Sequence, residues 1–527
     1  MSIQKHLNQG FTVVELLIVL VVIGLLATVS IVAYNGVQAH TRDVSVLSDI
    51  ETMDALQTRY GLANNSAGKA WYSGSGVDVD LGFTPSAGNV IDVVISGTAY
   101  CIRAYNPDSA NYKRINTAAT NESSAGACGT LVASTLAQTD SNAVIGAIYW
   151  KQISAGWSQT CAISFADKEY CWGSDYSGQL GSNTANTYIL VPFPVYTAGV
   201  LSGKTMKALS STGSSQNCAV ASDNQAYCWG RNPSGELGNN STTNSNIAVA
   251  VYTAGVLSGK TISTISIGSN HICAIASDSQ AYCWGSNFYG ELGNNNKINS
   301  LVPVAVYTAG ALSGKTIKAI AGGRCVIASD DMAYCWGSNI ISPVAIDTSG
   351  VLSGKTFKAI AAGERTACVI ASDNQAYCWG RNDYGQLGNN TYSSTIAPVP
   401  PVAVDTSGVL SGKTIKAIST REDHTCVIAS DNQVYCWGLN KYGNIGNNNW
   451  GGKVLVPTAV DISGVLRGLT IKSMSVGAEH TCVIASDNQA YCWGNNDSGQ
   501  LGNNGYGQSY HTDSSSQVLV PFLVNSP

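Results

Sequence analysis

Charge is scarce in this chain of 527 residues: 12% are Asp, Glu, Lys or Arg, and the net charge is −5. Residues 151–527 hold 21 Lys plus Arg against 22 Asp plus Glu, a balance of −1. A nucleic-acid-binding domain carries a basic patch or stripe, so no nucleic-acid partner is expected. No nucleophile–base–acid set stands out, nor any carboxylate pair that breaks the internal repeats, so the chain is read as not an enzyme and without a cofactor. Metal is not expected either. The cysteines pair with nine residues between them, where zinc ligands leave two to four, and no His or Cys cluster completes a tetrad.

What the chain does have is a thirteen-residue unit written seven times. Its cleanest copies, Cys368 to Gly380 and Cys482 to Gly494, read CVIASDNQAYCWG. Two β-forming runs flank a Ser-Asp-Asn turn whose Asp and Asn tolerate left-handed backbone, the pattern of a β-hairpin. A turn centred on Asp487 sets Cys482 opposite Cys492, at the spacing a disulfide needs. The same register predicts Cys161–Cys171, Cys218–Cys228, Cys273–Cys283, Cys325–Cys335, Cys368–Cys378, Cys426–Cys436 and Cys482–Cys492. Disulfides persist in oxidising compartments, so this part of the chain is expected outside the cytosol.

First cysteines recur at intervals of 57, 55, 52, 43, 58 and 56 residues. Each unit adds two further strands, of the types Val302–Val306 and Thr316–Ile320, and four strands make a propeller blade. Most units continue Trp-Gly-x-Asn-x-x-Gly-Gln-Leu-Gly, as in Trp379 to Gly388 and Trp493 to Gly502. Here the chain resembles the regulator of chromosome condensation repeat family, which implies an all-β seven-bladed propeller over 153–527. The cysteine pairs depart from that family's nuclear members. The last strand, 518–524, has no obvious partner and is expected to complete the first blade and close the ring.

The N-terminus reads differently. A short polar stretch ends at Gly10, and no formally charged residue occurs from Leu16 to Ala39, long enough for a helix to cross a bilayer. Glycine before the apolar run and Glu15 inside its first turns resemble a type IV prepilin. The resemblance implies cleavage by a prepilin peptidase between Gly10 and Phe11. It also implies that Glu15 meets the amine of a neighbouring pilin subunit during assembly, since a carboxylate in a bilayer needs a partner. The organisation expected is a leader (1–10), a transmembrane and assembly helix (11–60), an α+β pilin head (61–133), a linker (134–152) and the propeller. The two remaining cysteines, Cys101 and Cys128, fit the disulfide loop that the pilin resemblance implies for the head.

Tempting motifs dissolve on inspection. Ser-Gly-Lys-Thr recurs at Ser202, Ser258, Ser313, Ser353 and Ser411, but each is followed by a strand and not by the helix a phosphate loop requires. It reads as a repeated turn whose lysines line one rim. His271, His424 and His480 share one repeat position and read as structural, as do the seven tryptophans after the second cysteines. Function belongs where copies disagree. Blade four loses its turn after Trp336-Gly337, whereas the loops after Gly446 and Gly502 carry Trp450, Tyr506, Tyr510 and His511, a candidate ligand face. The expected role is a minor or tip pilin, held in the cytoplasmic membrane before assembly and then displayed on an extracellular pilus to bind a surface protein or glycan. The alternative is a component of a secretion or DNA-uptake apparatus whose propeller docks cargo.

Overall fold

The computed structural model describes residues 148–525 except 185–186, 212, 394–397 and 506–516, together with strand segments between residues 74 and 117. The chain divides into two units, 1–146 and 147–527. In the first, four antiparallel strands lie in chain order: Gly74–Ser75, Val90–Ser96, Ala99–Tyr105 and Tyr112–Thr117. Val90 pairs with Tyr105 and Ser96 with Ala99, a tight hairpin. Gly10, Phe11, Glu15, the helix expected over 11–60 and the Cys101–Cys128 bridge lie outside the described residues. Among the described residues no helix is long and apolar enough to cross a membrane.

The second unit is a propeller of seven four-stranded antiparallel sheets. The first blade comprises Trp150–Ala155, Gln159–Ser164, Glu169–Ser174 and Tyr188–Pro194, and the last Ile471–Val476, His480–Ala485, Ala490–Asn495 and Gln517–Leu523. The first strand of every blade touches the first strand of the next all the way round, so these strands surround the axis. The unit therefore begins with strand Trp150–Ala155, inside the stretch expected to be linker.

Ring closure also differs from expectation. Strand Gln517–Leu523 pairs with Ala490–Asn495, and its Phe522 faces Cys492, so it is the outer strand of the last blade and not part of the first. The first blade already has its own outer strand, with Phe193 opposite Cys171. Each repeat runs from inner strand to outer strand, a phase that the cysteine-to-cysteine count hides. Closure is by packing: Trp150, Ala162 and Trp172 share one buried cluster with Ile484, Leu501 and Val524. Three main-chain bonds add to it, Trp150 N–H to Asn488 O (2.8 Å), Ala478 N–H to Gly156 O (3.0 Å) and Asn504 N–H to Leu190 O (3.1 Å).

The hairpins explain the repeat's polar letters. In blade two the Asn224 backbone is left-handed (φ 59°), the Asp223 carboxylate accepts from Gln225 N–H, and the Tyr227 hydroxyl donates to Asp223 at 2.7 Å. Lys207 donates to Asn224, and the Gln225 amide reaches Lys260 O in the next connection. The five turn lysines do not form a free cationic rim. Each lies 2.8–3.8 Å from the aspartate of its own blade's hairpin turn and over that blade's tyrosine ring, as Lys204 does with Asp223 and Tyr227. Surface pairs of this kind contribute little individually, but they leave none of the five turn lysines free.

Cysteines face each other in every hairpin, and all seven pairs are bonded with Cα atoms 4.0–4.1 Å apart. Each closes a loop of sequence separation 10, for which the chain-entropy estimate is about 3 kcal/mol. Replacing Cys482 and Cys492 together by alanine is expected to lower the unfolding free energy by about 2–3 kcal/mol in oxidising urea titrations. No change there would mean that the bridge is dispensable.

Candidate functional site

The two edges of the ring differ. The edge with the hairpin turns is committed to internal bonds. The opposite edge carries the loops joining first to second strands near the axis, and those joining third to outer strands at the periphery. Near the axis, glycines allow the loops to touch the next blade. A Cβ on Gly363 would stand 2.0 Å from Arg421 O, and one on Gly156 2.4 Å from Ser211 O.

One position on this edge clasps neighbouring blades together. Gln159 donates to Ser211 O and Gly213 O of blade two, and Gln216 to Ser269 O of blade three. His424 Nε2 meets Thr481 Oγ1 at 2.9 Å, His480 Nε2 meets Thr160 Oγ1 at 2.8 Å across the closure, and His271 Nε2 meets Gly323 O at 3.2 Å. Burial pushes His424 and His480 down to about 3 and His271 to about 4. These imidazoles are neutral clasps with no catalytic geometry.

Above the clasps the loops divide by charge. Blades five to seven present Glu364, Arg365, Glu422, Asp423 and Glu479, with Arg421 buried below them. Burial, and then the neighbouring Glu364, push Glu422 up to about 7. Asp423 is raised to about 6 by burial, and Arg381, 3.3 Å away, opposes the shift. Blades one to three present Trp157, Ser158, Ser214, Ser215 and Ser269. There a shallow pocket of about 300 Å³ is lined by Trp157, Ser158, Ser174, Gln179, Ser214 and Ser215. Trp157 is 41% exposed, an indole held open beside hydroxyl and amide groups.

Of the residues singled out from sequence, Trp450 is 46% exposed on a peripheral loop of this edge; Tyr506, Tyr510 and His511 lie outside the described residues. Trp157 and the carboxylates Glu364 and Glu422 escaped notice, although each departs from its repeat. They sit just before the clasp position, in the loops between first and second strands and not in those that follow the Gly-Gln-Leu-Gly turns.

Comparison with known proteins fits this geometry. The regulator of chromosome condensation (RCC1) repeat profile matches residues 278–328, 373–428 and 431–484, and a second profile of that repeat matches 262–291, 357–386, 415–444 and 471–500. The chain carries RCC1 repeats. A prokaryotic N-terminal methylation motif matches residues 5–31. The chain is 27% identical over 355 residues to the ultraviolet-B receptor UVR8 of Arabidopsis thaliana, covering 66% of each protein. It is 24% identical over 356 residues to the human E3 ubiquitin-protein ligase HERC2, covering 67% of this chain and 6% of that one. Prp20p of Saccharomyces cerevisiae aligns with TM-score 0.42 and 19% identity over 71% of this chain and 76% of that one.

Within the RCC1 repeats one residue is chemically out of place. Glu169 stands where other blades have Ala226, Ala281, Ala333, Ala376, Val434 or Ala490. It is 4% exposed, neither carboxylate oxygen has a hydrogen-bond partner, and burial pushes it up to about 8. The sulfurs of Cys161 and Cys171 lie within 4.8 Å, but they are bonded to each other, so the group is no metal site.

The pH consequences of Glu169 and His480 have opposite signs. Between about pH 4.5 and 8 the unfolded chain ionises Glu169 while the folded one does not, so stability falls as pH rises through this window. Glu169→Ala is expected to gain on the order of a few kcal/mol at pH 8 and much less at pH 4. His480 costs stability as pH falls from 6.5 towards 3, because only the unfolded chain takes up the proton. His480→Gln, the residue type at this position in blades one and two, is expected to flatten that slope. Thermal melts across pH 4–8 check both, and parallel curves for wild type and variants would refute the assignment.

Proposed function

We propose that this chain is a minor or tip type IV pilin that displays its propeller outside the cell to recognise a surface protein or glycan. The reading is carried by one combination: a prokaryotic N-terminal methylation motif at residues 5–31 on the same chain as RCC1 repeats braced by seven disulfides. In this reading a prepilin peptidase cuts between Gly10 and Phe11, Glu15 sets register with other pilin subunits, and the apolar helix holds the protein in the cytoplasmic membrane before assembly. The propeller acts by binding, with no catalytic step of its own.

The contact surface is the non-repeating edge. Trp157 offers an aromatic face beside serine hydroxyls and Gln179, the chemistry that receives a sugar or a polar loop. Trp450 extends the same surface outward, and Tyr506, Tyr510 and His511 are proposed as further contact residues. The carboxylates of blades five to seven give it an acidic side that gains charge between about pH 6 and 7.

Gly10→Val is expected to leave the leader attached, seen by mass spectrometry, whereas Glu15→Ala is expected to be cut but not assembled. Cells displaying the protein are expected to bind other cells or a glycan array saturably. Trp157→Ala with Trp450→Ala is expected to reduce that binding at least tenfold without changing the melting temperature. Undiminished attachment in a gene deletion that loses secretion or DNA uptake would favour the apparatus component. Dense lateral labelling of fibres by antibody would overturn the tip position.

A further inference from the structure

Six of the seven blade junctions are sealed by the same device. The tryptophan after each second cysteine donates its indole N–H to a main-chain carbonyl in the preceding blade's Gly-Gln-Leu-Gly turn or its variant. These bonds join Trp172 to Gln500, Trp229 to Gln179, Trp284 to Glu236, Trp336 to Glu291, Trp437 to Gln386 and Trp493 to Asn444, at 2.7–3.0 Å. The turn's Leu or Ile is at most 1% exposed in all six. Its last glycine accepts a second bond from its own blade, as Gly388 O does from Asp405 N–H at 2.8 Å.

The seventh junction, between blades four and five, lacks the turn. Blade four passes from Gly337 to Ile340 through Ser338 and Asn339 alone, both in the left-handed region (φ 52° and 77°). Trp379, next in line, is half-buried where its counterparts are sealed, and Ile346 is half-buried where Val404 and Val460 are 4% exposed. Among the described residues the Trp379 indole N–H has no acceptor, and the Asp347 main-chain N–H, equivalent to that of Asp405, has none either. Thr160, Asn217, Thr425 and Thr481 bond the same carbonyl as the tryptophan, whereas Ile272, Arg324 and Ala367 hold that position in blades three, four and five.

We propose that this gap is a docking slot for a glycine-flanked leucine turn presented by a separate polypeptide. The six filled junctions define the occupant. A turn of the form Gly-x-Leu-Gly would offer one carbonyl to Trp379 and a second to Asp347, set its leucine among the side chains of the junction and lay glycine on the indole. A Cβ on that glycine would meet the tryptophan at 2.6–2.9 Å in the filled junctions, so larger residues are rejected. The slot is separate from the Trp157 pocket and stands whether or not the adhesion reading holds.

The test uses the full processed chain in detergent, labelled with 5-fluorotryptophan and followed by fluorine NMR. The probe is a cyclic peptide with the sequence of Asn382 to Asn390. One resonance, absent in Trp379→Phe, is expected to shift saturably, and the peptide with aspartate for leucine to bind at least tenfold more weakly. Trp379→Phe itself is expected to weaken binding about tenfold, the loss of one hydrogen bond. If that variant misfolds, a second one serves: replacing Ser338 and Asn339 with the segment Ser286 to Asn299 fills the slot from within and is expected to abolish the response. No saturable shift, or an equal response to the aspartate peptide, overturns the slot. A shift produced by raising protein concentration without peptide overturns the separate partner in favour of a second copy.

Discussion

The propeller depends on one contact repeated around the ring, an indole N–H of one blade received by a turn carbonyl of the blade before it. A buried tryptophan needs an acceptor for that proton, and the turn that supplies it also buries a leucine between the blades. The hydrophobic clusters accordingly run across junctions. One joins Cys161 and Ile163 of the first blade to Tyr227 and Trp229 of the second, and another links the last blade to the first. A ring built this way needs no strand exchanged between its ends, because the closing junction is made of the same contacts as five others.

This economy divides the molecule's two edges. Hairpin turns, lysines, aspartates and tyrosines on one edge satisfy each other blade by blade, so the repeated letters have structural roles and little remains for a ligand. On the other edge the loops next to the axis need only a glycine and a clasp residue, and the positions between vary freely. Charge collects in blades five to seven, an open tryptophan stands in blade one, and blade four gives up its turn. Each departure costs something locally, as with the unpartnered Glu169 or the half-buried Trp379. A scaffold of seven disulfide-braced blades tolerates such costs because each falls on one blade or one junction.

The prediction that Glu169 and His480 tilt stability in opposite directions with pH illustrates how much was legible beforehand. That both break or vary a repeat position is plain in the sequence. That one carboxylate is sealed against a disulfide, and that three histidines reach the next blade, depends on which neighbour each side chain meets. Trp157, Glu364 and Glu422 belong to the same class. Their letters are visible, but their grouping on one edge arises from loops roughly one repeat apart meeting around the axis.

The sequence alone determined the local chemistry of the repeat. Opposed cysteines, the polar hairpin turn and the count of seven follow from backbone geometry within a few residues, and the prepilin-like start follows from one glycine, one glutamate and an uncharged run. Tertiary structure decided the phase of the repeat, so that strand Gln517–Leu523 finishes its own blade and the ring closes by packing. It also decided that the turn lysines are paired and that the missing turn of blade four leaves Trp379 uncovered. Short-range pattern reports what a residue prefers; only the ring brings together side chains some fifty residues apart, and for them partner and burial are set by the next blade.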